Sequence, residues 1–233
     1  MKVSIVVPAY NEEKYIGKTL NSINNLDKDG YDVETIVING GSTDQTEKIA
    51  KSHGAKVINE PHKGIGFARQ EGLKHATGDI VAFTDADTIV SKDWLVRHLE
   101  VLKKPGVVLT YGTFRVTDGS FPYYQHINYL QPHILWLFHH LFRQPIAAGQ
   151  NMVFWREKAL SIGGFDEKIP VMEDIDLAVR MKKIGKVIFI PNLIVYSSGR
   201  RCHEGLGFYT RMTETLILYT LGKRKLKGFP DYR

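Results

Sequence analysis

Short apolar runs alternate with longer segments of helical spacing through the first half of the chain. Residues 3–7 are almost entirely apolar, and in residues 12–26 that follow, Ile16, Leu20 and Ile23 recur at the spacing of one helix face. The alternation continues with predicted strands at 33–38, 56–58 and 80–84 and predicted helices at 43–52, 64–76 and 92–103. Strands of this apolar character are typical of a parallel sheet covered on both faces. We therefore predict a doubly wound, Rossmann-like α/β fold with a mostly parallel sheet and helices on both faces.

The pattern changes after a further predicted strand at 107–111. Residues 123–142 are rich in aromatic residues and histidine, and they predict one or two helices with an apolar face. The remaining predicted elements are a helix at 173–183, strands at 187–190 and 194–197, and an amphipathic helix at 207–221 followed by a basic tail. Because no repeat, low-complexity tract or linker interrupts the chain, we predict a single domain over residues 1–233. Its parts are residues 1–112, residues 113–205 and a C-terminal helical extension at 206–233.

Composition and charge narrow the classes of protein and of partner. The chain has 233 residues, is 43% hydrophobic and carries a formal net charge of +6, which attracts nucleic acid, nucleotide phosphates or acidic lipid headgroups. Cys202 is the only cysteine, so no internal disulfide forms and a reducing compartment is indicated. Strand-like sequence begins directly after Met1 and Lys2, which leaves no room for a signal peptide, and no run reaches the about 20 apolar residues of a membrane-spanning helix. We expect a cytoplasmic protein whose membrane contact, if it has any, is peripheral.

Three predicted strands end in polar residues. Residues 8–12 follow the first strand, residues 39–44 follow the second, and residues 85–87 follow the strand at 80–84. Ligands of open parallel sheets bind outside the carboxyl ends of the strands, and these ends share one edge of the sheet. We therefore expect the three segments to form one site.

Asp85 and Asp87 are the sharpest feature of this edge. Two carboxylates one residue apart are hard oxygen ligands suited to Mg²⁺ or Mn²⁺, which also hold diphosphate oxygens. The alternative is a structural role in a turn or a helix cap, for which Asp is also common. The position of the pair directly after a buried strand favours the metal.

The other strand-end residues carry structural alternatives. Either residues 42–45 or residues 44–47 have the pattern of a capping box that opens the next helix, and we favour this structural role for Asp44. Pro8 and Tyr10 are interpreted either as a strand terminator and a packed ring or as parts of a nucleoside pocket.

Two further polar clusters lie in the second half of the chain. Residues 173–176, which follow the glycine-rich segment 163–167, place acids at a helix start, where they oppose the helix dipole and where a carboxylate can also act as a general base. Arg200 and Arg201 form an adjacent pair whose guanidinium groups match diphosphate oxygens; a solvated turn is the alternative. His203 is a candidate metal ligand, with an ordinary loop residue as the alternative.

Seven segments, taken in order, give the chain a resemblance to a known family. They are residues 6–12, 41–46, 66–72, 76–79, 85–87, 163–167 and 173–177. In this order they resemble the inverting nucleotide-diphospho-sugar glycosyltransferases of family two, which have the GT-A fold. The resemblance implies that residues 1–112 bind a nucleotide sugar and that residues 113–205 hold the acceptor and the catalytic groups.

The resemblance also implies a reaction and a set of residues. A sugar would pass from a UDP- or GDP-linked donor to an acceptor hydroxyl or lipid phosphate, with inversion and with Mn²⁺ or Mg²⁺ as the cofactor. Asp174 would be the catalytic base, Glu173 would lie beside it against the acceptor, and Asp85 and Asp87 would bind the metal. The implied donor-binding residues are Pro8, Ala9, Tyr10, Glu12, Asn39, Arg69, Asp85, Arg200 and Arg201.

The chain departs from the family at Asn39 and Gly40, where many relatives carry an acidic pair. An Asp at the first position accepts a hydrogen bond from a ring N–H of the base. Asn39 can accept through its amide oxygen and can also donate to a base carbonyl, so the sequence leaves UDP and GDP both open.

The acceptor and the alternatives stay open as well. The aromatic segment 123–142 and the basic tail from Lys223 suit an anionic membrane and a lipid-linked acceptor. A core-packing helix and a solvated tail are the alternative, and the acceptor is either a carbohydrate or a lipid-linked molecule. A nucleotidyltransferase and an inactive nucleotide-sugar-binding protein are rival functions. Nucleic acid is not an expected partner, because a nucleic-acid-binding protein would leave Asp85, Asp87 and Asp174 without a purpose.

Overall fold

The computed structural model describes residues 1–200 and 214–215. Residues 214–215 are helical, and the rest of the helix predicted at 207–221 lies outside the described residues, as do the basic tail and Cys202. Over the described ranges no helix combines the length and the apolar character needed to cross a bilayer.

Strands and helices alternate through the first half as the pattern predicts. The strands are β1 Lys2–Ala9, β2 Asp32–Asn39, β3 Lys56–Asn59, β4 Ile80–Phe83, β5 Thr88–Ile89, β6 Val107–Val116, β7 Met152–Trp155 and β8 Lys186–Ser197. The helices are α1 Ile16–Asn24, α2 Thr46–Ser52, α3 Ile65–His75, α4 Trp94–Leu102, α5 Phe121–Gln125, α6 Gln131–His140, α7 Arg156–Ser161 and α8 Glu173–Met181. A π-helical turn, His126–Leu130, joins α5 to α6, and a short 3-10 turn, Gly149–Asn151, precedes β7.

The described strands form one sheet in the order β3-β2-β1-β4-β7-β6-β8-β5. From β3 to β4 every neighbouring pair is parallel. β7 runs antiparallel to both β4 and β6, β8 is again parallel to β6, and the short β5 is antiparallel to β8. The predicted α/β fold with a mostly parallel sheet is confirmed, and the change of direction is confined to β7 and the edge strand β5.

Alternate residues of β1 face two separate hydrophobic cores. Val3, Ile5 and Val7 pack with α1 and α4 on one face of the sheet. Val6 packs with α3 and α8 on the other. Since successive side chains of a strand point to opposite faces, a strand that is apolar on nearly all of its positions is buried on both, and this burial fixes β1 at the centre of the parallel half.

Strands β5, β7 and β8 differ from the prediction, which has no strand at 88–89. The pattern does not reveal β7, because its four residues lie directly between the 3-10 turn and α7 and show no period of their own. The two strands predicted at 187–190 and 194–197 are one strand, β8, that continues through Pro191. Its pairing with β6 is irregular between Tyr111 and Thr113, and a proline, which has no N–H to give to the ladder, is tolerated at such an irregularity.

A buried polar network joins α4 to the turn before β7. The Asn151 amide nitrogen donates to the carbonyl oxygens of Thr113 and Leu193, so its oxygen is the acceptor for Trp94 Nε1 and for His98 Nε2. His98 therefore carries its proton on Nε2, and its Nδ1 lies 2.9 Å from the hydroxyl of Thr110. These hydrogen bonds hold the 3-10 turn against α4.

We expect His98 to make the stability of the fold dependent on pH. Burial lowers the pKa of His98 to about 4, whereas an unfolded histidine titrates near 6.5. The unfolded state therefore binds the proton first, and the free energy of unfolding should fall by up to about 3 kcal/mol as the pH drops from 6.5 towards 4. The free energy of unfolding, measured with urea between pH 7 and 4.5, should fall less steeply with decreasing pH for His98→Gln than for the natural protein. The exposed His75→Gln should keep the natural slope; equal slopes for all three proteins would contradict the assignment.

Candidate functional site

The carboxyl ends of β1, β2 and β4 lie at one edge of the sheet, as predicted. Ala9 at the end of β1 pairs with Asn39 at the end of β2, and the Ala9 carbonyl accepts a hydrogen bond from Gly40 N at 2.9 Å. Pro8 does not end its strand. The pairing of β1 with β4 stops at Val6. The backbone groups of alternate residues in a strand point to opposite neighbouring strands, so those of Pro8 point, like those of Val6, to the side of β4. Because β4 has already ended there, the missing N–H of Pro8 costs no hydrogen bond of the sheet.

Asn39 is buried, and its amide group is engaged by the protein. Its oxygen accepts from Ser42 N at 3.0 Å, which fixes the orientation of the amide. Its nitrogen donates to Asn59 Oδ1 at 2.9 Å. The resemblance implies that Asn39 contacts the donor, whereas in the structure its amide bonds to the backbone of Ser42 and to Asn59 at the end of β3.

The segment before α2 differs from both predicted capping boxes. The helix begins at Thr46, and the residue before it, Gln45, makes no side-chain cap bond. The Asp44 carboxylate instead accepts from Thr46 N at 2.9 Å and from Glu13 N at 3.1 Å. Asp44 has the structural role that we favoured, but it acts by tying the loop after β1 to the start of α2.

Arg69 of α3 joins carboxylates from two distant parts of the chain. Its guanidinium lies 3.1 Å from Asp85 Oδ1, donates to Glu173 Oε1 and lies 3.4 Å from Asp174 Oδ2. The arginine is only 4% exposed. It therefore contacts the carboxylates of the site and not an open surface, so the structure gives it a different environment from the donor contact that the resemblance implies.

Gly149 makes room for this arrangement. A Cβ atom at this position would overlap the guanidinium of Arg69. The backbone N–H of Gly149 donates to Asp174 Oδ2 at 2.7 Å, and Ile175 N donates to the other oxygen of Asp174 at 2.8 Å. Sequence reasoning missed Gly149; the small residues Ala147 and Ala148 before it are the one signal of a close backbone approach.

The two acids at the start of α8 have different environments. Glu173 is 3% exposed, whereas the Asp174 side chain is 18% exposed. Burial raises the pKa of Glu173, Arg69 opposes that rise, and the neighbouring charge of Asp174 adds to it. For Arg69, burial disfavours the charge, but Glu173, Asp85 and Asp174 together outweigh it and raise the pKa of the guanidinium. Of the two acids, Asp174 is the one whose side chain reaches solvent.

A second arginine holds the other member of the aspartate pair. Arg200 donates to both carboxylate oxygens of Glu12 at 2.7 Å and lies 2.9 Å from Asp87 Oδ2. Its guanidinium also lies over the ring of Tyr15, 5.2 Å from the ring centre. Sequence reasoning missed Tyr15. Arg201 and His203 lie outside the described residues.

The turn 85–87 can accept a divalent cation. Thr88 N donates to the Asp85 carbonyl at 3.1 Å and the Thr19 hydroxyl donates to the Ala86 carbonyl at 2.8 Å, so both aspartates are held on one short turn. Their side chains are 26% and 11% exposed. Within the described residues no three His, Cys, Asp or Glu side chains gather as a complete ligand set. The pair suits an ion such as Mg²⁺, which usually takes one or two carboxylates and completes its shell with water and substrate phosphates.

Solved structures of known proteins share this architecture. A mannosyltransferase from Pyrobaculum calidifontis, in complex with GDP-Man and Mn²⁺, aligns with a TM-score of 0.74 at 23% identity and covers 98% of this chain and 66% of that chain. Glucosyl-3-phosphoglycerate synthase from Mycobacterium tuberculosis, in complex with Mn²⁺, UDP and glucosyl-3-phosphoglycerate, aligns with a TM-score of 0.67 at 24% identity and covers 99% and 81% of the two chains. The fold is that of the GT-A glycosyltransferases.

Sequence comparison identifies the family. The family model described as "Glycosyl transferase family 2" matches residues 4–162, and the chain belongs to this family. Among its relatives, the probable glycosyltransferase YdaM of Bacillus subtilis is 30% identical over 213 residues, which are 84% of this chain and 50% of that protein. Glycosyltransferase GlyA of Streptococcus pneumoniae is 31% identical over 134 residues, which are 54% of this chain and 19% of that protein. The chain thus spans half or less of the length of these two relatives.

We expect Arg69→Met to destabilise the fold. Removal of one partner from a buried charge pair leaves the remaining charges uncompensated and costs about 3–5 kcal/mol. Urea unfolding at pH 7 measures the loss. Arg97→Met is the matched control, since Arg97 pairs with Asp93 at 3.5 Å on the surface, where such a pair is worth about 1 kcal/mol or less. Equal losses for the two variants would show that Arg69 does not hold the carboxylates together.

Proposed function

We propose that the chain transfers a sugar from a nucleoside-diphosphate sugar to an acceptor hydroxyl or lipid phosphate, with inversion at the anomeric carbon. The observation that supports this most directly is the convergence on Arg69 of Asp85, from the strand-end aspartate pair, and Asp174, from the start of α8. In this proposal the donor-binding group Asp85 and the base Asp174 contact different nitrogens of one buried guanidinium. Family membership favours this function over a nucleotidyltransferase or a nucleic-acid-binding protein.

The donor is assigned to the edge formed by β1, β2 and β4. Pro8, Ala9 and Tyr10 line the end of β1, and Tyr10 is the partly exposed member of this group, so its ring is the candidate platform for a nucleotide base. Because the Asn39 amide is engaged by Ser42 and Asn59, we assign it to shaping the base pocket and not to a direct contact with the base. GDP-Man and UDP occur with the two solved neighbours, and GDP-linked and UDP-linked sugars both remain candidate donors here.

Asp85 and Asp87 are proposed to hold Mn²⁺ or Mg²⁺. When bound, such an ion neutralises charge that grows on a departing diphosphate. Arg69 and Arg200 each hold one of the two aspartates by a carboxylate oxygen. Arg200, which lies 2.9 Å from Asp87 Oδ2, is also proposed to add positive charge near the diphosphate.

 Asp174 is proposed as the general base. Its two oxygens accept hydrogen bonds from Gly149 N and Ile175 N, and these bonds fix the carboxylate while its side chain stays partly open to solvent. From this position it would take the proton of the acceptor hydroxyl as the oxygen attacks. Glu173 is buried against Arg69, so we assign it to holding the guanidinium and not to the acceptor contact implied by the resemblance.

We expect Asp174→Asn to separate turnover from donor binding. Asparagine keeps an oxygen for Gly149 N but cannot take a proton, and loss of general-base help costs about 10²–10⁴-fold in rate. Turnover is measured as nucleoside diphosphate released from UDP- and GDP-sugars with a panel of acceptors, and donor binding is measured by calorimetry. Asp176→Asn is the matched control, because Asp176 lies on the same helix and pairs with Arg180. Near-natural turnover in Asp174→Asn would falsify the base assignment.

Donor binding should depend on the aspartate pair and on a metal ion. A ligand that binds only the native state stabilises it by about 2.7 kcal/mol at 100 times its dissociation constant. Thermal unfolding is measured with UDP and with GDP, each in the presence of Mn²⁺ or of a chelator. One of the two nucleotides should raise the melting temperature of the protein, and only when Mn²⁺ is present. The ligand-induced shift should vanish in Asp87→Ala and persist in Asp93→Ala, a change on the exposed surface. An equal shift in chelator would contradict the metal site, and binding without any turnover would favour an inactive nucleotide-sugar-binding protein.

A further inference from the structure

Exposed apolar side chains are concentrated on the helical segment between β6 and β7. Of the eleven large hydrophobic side chains that are well exposed in the described part of the chain, seven lie between residues 121 and 142. Trp136 is 51% exposed and Leu141 is 67% exposed. Single exposed apolar residues are ordinary on a protein surface, but a contiguous group of them marks an interaction site.

These side chains share one side of the helical segment. Tyr129, Leu130, Trp136, Leu137 and Leu141 recur at helical spacing and are all exposed; we name these five residues the aromatic face. The opposite side is buried, and its members include Tyr123, Ile127 and Leu135.

The segment is held firmly to the sheet by its buried side. The Asn128 side chain exchanges two hydrogen bonds with the backbone of Val116, at 2.8 and 3.0 Å. The Tyr111 hydroxyl lies 2.9 Å from His139 Nδ1, and the His139 ring also contacts Phe189. These contacts hold the buried side of the helical segment against the sheet and leave the aromatic face on its exposed side.

The charge around the aromatic face is positive. No Asp or Glu occurs anywhere from residue 119 to residue 156. Arg143 follows the end of α6 and is exposed, and the exposed Lys182 donates to its carbonyl oxygen. The segment thus combines an apolar stripe that contains tryptophan and tyrosine with nearby cations and no acids of its own, which matches the chemistry of an anionic bilayer surface.

We propose that the aromatic face rests on the surface of an anionic lipid bilayer, with Trp136 and Leu137 inserted at the boundary between headgroups and acyl chains. The proposal does not depend on the proposed function, since it concerns binding to lipid and not transfer of a sugar. Tryptophan and tyrosine are enriched at this boundary because their rings combine an apolar body with a polar group.

Vesicle flotation tests the proposal with the full chain. Vesicles of phosphatidylcholine with about a third of phosphatidylglycerol should float the natural protein, and pure phosphatidylcholine vesicles should float much less of it. Trp136→Ser combined with Leu137→Ser should lower the partition coefficient about tenfold or more, because the inserted apolar surface is lost. The matched control is Ile89→Ser combined with Ile184→Ser, two similarly exposed residues outside the face, which should float like the natural protein.

Tryptophan fluorescence locates the contact. Trp94 is fully buried and Trp155 is partly buried, so Trp136 is the well-exposed tryptophan of the chain's three. Brominated phosphatidylcholine in the anionic vesicles should quench the natural protein, and the quenching should be lost in Trp136→Phe while flotation persists. Flotation that is unchanged in the Trp136 and Leu137 double variant would assign binding to the basic tail and overturn the proposal. A natural protein that stays unbound, or that forms a dimer which only the double variant disrupts, would overturn it as well.

Discussion

The arrangement of the site depends on the buried guanidinium of Arg69. A carboxylate from the turn after β4 and two from the start of α8 approach this one group. Without it, three like charges would repel one another, and the buried Glu173 would lose solvation with no cation to offset the loss. The fork of N–H donors on an arginine can satisfy several oxygens at once, which a lysine at the same position could not do in the same geometry.

Gly149 and the hydrogen-bond network of Asn151 also help to set the arrangement around Arg69. The backbone of Gly149 approaches the guanidinium so closely that no side chain fits there, and its N–H binds Asp174. Two residues further on, Asn151 anchors the turn to α4 through Trp94 and His98. The position of Asp174 thus depends on a chain of contacts that runs through the apolar core, and α4 influences the site although it contributes no group to it.

Much of the fold follows from the sequence because it depends on local pattern. Apolar strands, helical spacing and polar strand ends are each visible within a few neighbouring residues. The parallel half of the sheet and the edge that carries the site were therefore predictable, and the order of the seven sequence segments indicated the family. β7 was not predicted because its four residues, directly after a turn, are too few to show the alternation of a strand. The partners of Arg69 could not be predicted either, since Arg69 and Glu173 are 104 positions apart and only packing shows which acids share a cation. The partners of Asn39 could not be predicted for the same reason: its neighbour Asn59 comes from the next strand, beyond any local window.

Assembly of the site waits for nearly the whole described chain. Glu12, shortly after β1, is bound by Arg200, shortly after β8, and the two residues are 188 positions apart. A contact of such sequence separation closes late, because the entropy of the loop must be overcome before the contact is gained. During synthesis, the parallel half could collapse around its own core while Glu12 and Asp87 still lacked their cation. The pairing of β8 with β6 therefore also brings Arg200 to Glu12 and Asp87, which come from the first half of the chain. Through this one side chain, the order of folding determines when the acids of the site gain a positive partner.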